Sequence, residues 1–108
     1  MESPSLQFAA TVRTIGTAAR ERGLVVPGFR TPPRRPGIER TIRRTGPASA
    51  TVAVAVRDRP IQAVVGDLIE GVIVVNELDG VDAARVRTAL WQAVVAEHPR
   101  TVALPGAA

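Results

Sequence analysis

The sequence predicts a small single α+β domain with an N-terminal helix, a basic Pro-rich strap, a β-hairpin and two C-terminal helices. Apolar residues recur at helical spacing near both ends of the chain, within 4–22 and 82–97. Val52, Val54 and Val56 alternate with Thr51, Ala53 and Ala55 inside 50–57, which is the period of a half-buried strand. Between them, Pro27, Pro32, Pro33 and Pro36 fall within ten residues and forbid helix. A length of 108 residues fits one domain over 1–100, with 101–108 as a flexible tail.

The first helix is expected from Pro4 to Arg22, with Ser3 as its cap and Pro4 at the first helical position, where a missing N–H costs nothing. Phe8, Val12, Ile15 and Ala19 form its apolar stripe, Arg13 and Arg20 lie away from that stripe, and Gly23 is a left-handed stop. Residues 24–37 then read as an extended, polyproline-like strap, pinned to the core by Leu24, Val25, Val26 and Phe29.

Residues 38–45 and 50–57 read as two strands joined at Gly46-Pro47-Ala48-Ser49. In the first, Ile38 and Ile42 share a face with Arg40 and Arg44, the pattern of an edge strand. Over 60–78 a helix is expected, because Ile61, Val64, Val65, Leu68, Val72 and Val75 cluster within about a third of the helical wheel. The β-branched run Val72-Ile73-Val74-Val75 and a turn at Gly66-Asp67 argue for a hairpin there instead. The last helix, 82–97, carries Val86, Leu90 and Val94 on one face and ends at His98 before Pro99. No internal repeat is present.

Composition removes several function classes. Without cysteine there is no disulfide framework, thiolate nucleophile or Cys-based metal site, and a lone histidine makes no His cluster. Ile61 to Leu78, the longest apolar candidate, is interrupted by Gly66, Asp67, Glu70, Asn76 and Glu77, so no membrane span is expected. Met1-Glu2-Ser3-Pro4 lacks the basic and apolar regions of a signal peptide, and a cytoplasmic protein is expected.

Charge is the most informative feature. All 14 basic residues are arginine, which together with 17 Ala and 16 Val points to GC-rich, bacterial coding. Residues 13–59 hold eleven arginines against Glu21, Glu39 and Asp58, whereas residues 60–108 hold three against six carboxylates. The strongest candidate site is the array Arg30, Arg34, Arg35, Arg40, Arg43 and Arg44, which suits a phosphate backbone because each guanidinium can donate to phosphate oxygens. A chain without lysine also spends arginine on ordinary solubilising positions. Aromatic residues make up only 3%, and Phe29 alone is near the array, which favours duplex DNA or structured RNA over stacked single strands. Pro33-Arg34-Arg35-Pro36-Gly37 resembles the AT-hook of minor-groove binders, but lacks the glycine between the arginines that lets the backbone lie on the groove floor.

Other constellations read as structural. The last two helices could form a helix-turn-helix presenting Arg85, Arg87, Thr88 and Gln92, but Glu77, Asp79 and Asp82 stand where phosphates would approach. Asp67 and Glu70 share a helix face with no cationic residue near them in sequence, so solvated charges or ion pairs are expected. His98 sits at a helix end with no nucleophile beside it. Trp91, with Val72 and Val75, is the candidate self-association surface, since the apolar face of 61–78 exceeds what a two-stranded sheet covers.

These observations lead to a small, non-enzymatic accessory protein that contacts nucleic acid through the arginine strap and uses no metal or cofactor. The alternative is a protein–protein adaptor, self-associating as a homodimer, whose strap docks an acidic partner.

Overall fold

The computed structural model describes residues 4–30, 51–54, 56 and 59–105. In chain order they form α1 (Pro4–Glu21), β1 (Gly28–Arg30), β2 (Thr51–Ala53), α2 (Ile61–Val75) and α3 (Gly80–Glu97). The three helices all touch one another, and the two short strands lie on α2. The result is a small α+β domain whose centre is the middle helix.

α1 buries Ile15, Ala18 and Ala19, with Phe8 and Val12 packed at the edge of the core as the stripe predicts. Thr11 is buried on the same side, and its hydroxyl shares its one proton between the carbonyls of Gln7 and Phe8, each at 2.9 Å, so burial leaves no orphaned polar atom. The helix closes in a Schellman turn: Leu24 N–H reaches Ala19 O and Gly23 N–H reaches Arg20 O, both at 3.0 Å, with Gly23 at φ +74°.

Residues 61–75 are helical, so the wheel pattern prevails over the β-branched run. Local strand propensity yields because neighbours surround this segment. Val64, Val65, Leu68, Ile69, Gly71, Val72 and Ile73 are all buried, a broader arc than one amphipathic stripe, because α1, α3 and the sheet cover different faces. The apolar excess that suggested self-association is thereby covered within the chain. α2 ends in a second Schellman turn, Leu78 N–H to Ile73 O at 3.1 Å and Glu77 N–H to Val74 O at 3.0 Å. Here the left-handed position, φ +54°, is held by Glu77. α3 contributes Ala83, Leu90, Trp91 and Val94 to the core and ends at His98, as expected.

Among the described residues, the second strand has a partner other than the one expected from the sequence. Thr51–Ala53 pairs in parallel with Gly28–Arg30, in the register Gly28 with Thr51, Phe29 with Val52 and Arg30 with Ala53. Residues 38–45, the expected partner strand, lie outside the described residues, as do 31–37 of the expected strap. The physical reason for the observed pairing lies in α2. A methyl group placed on Gly71 would come within 3.1 Å of Val52 Cγ1 and 3.2 Å of Phe29 Cε1, so this glycine admits the central residue of both strands against the helix. The alternation of the second strand is preserved: Thr51 and Ala53 face outward, Val54 is buried, and Val52 and Val56 are half-buried.

The chain after α3, read from the sequence as the start of a loose tail, is docked over Thr101–Ala103. Val102 is only 3% exposed. The Gln62 side chain donates to Ala103 O at 2.6 Å and accepts from Ala103 N–H at 3.0 Å.

Candidate polyanion-binding segment and its anchors

Residues 31–50 contain five arginines and one glutamate, while the rest of the chain contains nine arginines and nine carboxylates. The entire formal charge of +4 therefore belongs to the twenty residues that connect β1 to β2. Arg34, Arg35, Arg40, Arg43 and Arg44 lie in this connection, outside the described residues. Arg30 is the last residue of β1, and Thr51, where the chain returns, is the first of β2.

Both ends of the connection are fastened to the helices. Upstream, Val25 N–H donates to Asn76 Oδ1 at 2.9 Å, and Asn76 Nδ2 donates to Val25 O at 2.8 Å and to Val72 O at 2.8 Å. One half-buried amide at the end of α2 thus satisfies both backbone groups of Val25 and reaches one carbonyl of its own helix. Pro27 is buried, and Phe29 rests over Gly71. Downstream, Val52 shares that seat, and Val54 is buried two residues later. A parallel pair cannot be closed by a tight turn, so a long connection is a requirement of this topology.

The remaining candidate residues fall into place around this scaffold. Asp67 accepts from Arg59 Nη1 at 2.6 Å. Glu70 holds Arg87 in a two-pronged contact, 2.6 Å to Nε and 3.0 Å to Nη2. That hydrogen bond, with the carboxylate's charge behind it, raises the pKa of Arg87 from its already high value. The two carboxylates of α2 are therefore ion-paired. Arg87 faces α2, leaving a helix-turn-helix reading of α3 without one of its phosphate-reaching side chains. His98 lies beside α1, with Nε2 3.1 Å from Thr14 Oγ1.

Trp91 is 7% exposed and lies over Gly66, with its Cζ2 3.6 Å from where a methyl on that glycine would sit. Val72 is fully buried and Val75 half-buried. Among the described residues, the large apolar side chains that face outward are Val74 and Val81, at 65% and 67%, with Val25 and Leu104 less so. Among the described residues, no group of His, Asp and Glu is arranged to hold a metal ion, and no helix is long and apolar enough to cross a membrane.

Sequence reasoning passed over Asn76, Gln62 and Gly71, the residues that fasten the extended segments to α2. A glycine inside a Val/Ile-rich helix is a usable signal for close approach of another element. The two amides carry no local signal, because their partners are 51 and 41 positions away.

No protein-family model matches this chain, and no curated protein or solved structure is significantly similar to it.

Proposed function

We propose that this protein is a small cytoplasmic accessory protein that contacts the phosphate backbone of duplex DNA or structured RNA through Arg30, Arg34, Arg35, Arg40, Arg43 and Arg44. The observation that carries this reading is the confinement of the whole net charge to the connection between β1 and β2, both ends of which are fastened to a charge-balanced helical scaffold. Guanidinium groups close together in sequence gain most from a partner that repeats its anionic groups. Each phosphate neutralised releases condensed counterions, whereas isolated carboxylates offer no such gain. The chemistry asked of the protein is binding, with no catalytic step.

The test is fluorescence anisotropy with a labelled DNA duplex and a structured RNA, each titrated at low and physiological salt. Wild type is compared with the quadruple variant Arg34→Ala/Arg35→Ala/Arg43→Ala/Arg44→Ala. Two results together support the reading: wild-type binding weakens steeply with salt, and the variant's log–log slope on duplex DNA is shallower by about 0.9 for each arginine that had neutralised a phosphate. Absence of binding to both polymers at low salt ends it. The surviving alternative is then an adaptor whose arginines dock an acidic protein.

A further inference from the structure

We infer that the outer face of α1 is a second contact line for the same phosphodiester backbone, continuous with the strap that leads into Arg30. This inference rests on the nucleic-acid reading above and extends it to a surface defined by side-chain geometry.

Arg13, Thr17 and Arg20 follow one another at spacings of four and three, so they share one face of α1, and all three are exposed. The opposite face holds the buried Thr11, Ile15, Ala18 and Ala19, which fixes the arginines outward. Arg22, also exposed, follows the helix end, and Glu21 is the only carboxylate between Pro4 and Arg30. These arginines differ from those paired with α2. Arg59 and Arg87 are held by Asp67 and Glu70, whereas Arg13, Arg20 and Arg22 make no ion pair among the described residues.

Two contacts join this face to its surroundings. A methyl placed on Gly16 would lie 3.6 Å from Arg20 Nη1 and 3.6 Å from Val26 Cγ1. The guanidinium of Arg20 and the side chain of Val26 are thus within twice that distance of each other. The strap therefore runs back along α1 beside Arg20 before it reaches Arg30, four residues on. On the neighbouring side, the Thr14–His98 contact brings the end of α3 against α1, and the exposed Arg100 follows two residues later. The line Arg13–Arg20 thus lies on the helix beside the strap segment that leads to β1. Its partner chemistry is a chain of phosphates, because the exposed side chains of α1 on this line offer guanidinium donors and a Thr17 hydroxyl, with no aromatic ring to stack a base.

The experiment is the salt titration of the same duplex and RNA with Arg13→Gln/Arg20→Gln. Arg13→Lys/Arg20→Lys is the charge-retaining partner, and Arg85→Gln makes the same kind of charge change on α3. Circular dichroism and thermal melting confirm that each variant is folded. The expected result on duplex DNA is a log–log slope smaller by about 0.9 for each arginine removed, restored by the lysine pair and unaffected by Arg85→Gln. If wild type binds, the quadruple strap variant loses slope and the α1 variant keeps the wild-type slope, the α1 line is refuted while the strap reading stands. A loss of slope on Arg85→Gln with none on the α1 variant puts the polymer on α3 and refutes it equally. If wild type binds neither polymer, both readings fall together.

Discussion

The side-chain amide of Asn76 occupies both backbone hydrogen-bonding groups of Val25, accepting from its N–H at 2.9 Å and donating to its carbonyl at 2.8 Å, across 51 positions of sequence. It does for the strap what a neighbouring strand would do. Gln62, near the other end of α2, makes the same paired contact with Ala103. Two amides on one helix thus fasten the two extended segments that flank the bundle.

Replacing Asn76 by alanine removes three side-chain hydrogen bonds at once. They are partly solvent-exposed, so the expected loss is about 1–2 kcal/mol in denaturant unfolding. The Val25 amide should exchange with solvent well before the core amides of α2 do. Unchanged protection at Val25 would show that the burial of Pro27 and Phe29 holds the strap without the amide.

Gly66 and Gly71 stand on the same helix and should respond to alanine with opposite signs. At Gly66 the added methyl would meet the Trp91 ring at 3.6 Å, an ordinary contact, so the gain in helix propensity of about 0.5–1 kcal/mol is kept. At Gly71 it would press on Val52 at 3.1 Å and Phe29 at 3.2 Å. The β-branched Val52 has little rotamer freedom to move aside, so crowding costing about 1–3 kcal/mol should outweigh that gain. Thermal melts of the two single variants decide this, and a stabilised Gly71→Ala protein would contradict the packing described.

Glu77 occupies a left-handed backbone position at φ +54° that glycine fills at the end of α1. Glu77→Gly removes that strain but adds freedom to the unfolded chain, leaving a net stabilisation of about 0.5–1 kcal/mol. Gly23→Ala, at φ +74°, should move the melting temperature the other way. Both are read by differential scanning calorimetry.

Thr14 Oγ1 lies 3.1 Å from Ala10 O, to which it donates its single proton, and 3.1 Å from His98 Nε2. A hydroxyl whose proton goes to Ala10 leaves its oxygen as an acceptor for an Nε2–H of His98. For the neutral ring, nitrogen-15 correlation spectra should show His98 as the Nε2–H tautomer, and Thr14→Val should abolish that preference.

The helices were legible because their signal is local. Phe8, Val12, Ile15 and Ala19 repeat along one face of α1, and Leu90 and Val94 do so along α3. For 61–75 the sequence held both answers: Val72 to Val75 alone favour a strand, and the wider wheel favours a helix. The wheel was the better guide because it samples the whole segment, whereas the β-branched run reports on four residues. The pairing of Thr51–Ala53 with Gly28–Arg30 had no such signal, since a parallel partner is chosen by the shape of α2 at Gly71 and is not marked by a tight turn joining the two strands. The same holds for the site. The concentration of arginine could be read directly, but the ion pairing that sets Arg87 and Arg59 apart from Arg13 and Arg20 depends on how α1, α2 and α3 are arranged around one another.

The parallel ladder also sets an order of events in time. α2 and α3 are joined by residues 76–79 alone, so their contact closes a short loop and forms early. The ladder must wait until Gly28 meets Thr51, and its seat on Gly71 exists only once α2 is in place. Substitutions at Phe29 or Val52 should therefore speed unfolding and leave the folding rate nearly unchanged, whereas those at Leu68 or Leu90 should slow folding. Run in reverse, the same order predicts that the ladder opens before α2 and α3 separate, which amide exchange at Phe29 and Val52 compared with Leu68 and Leu90 would show.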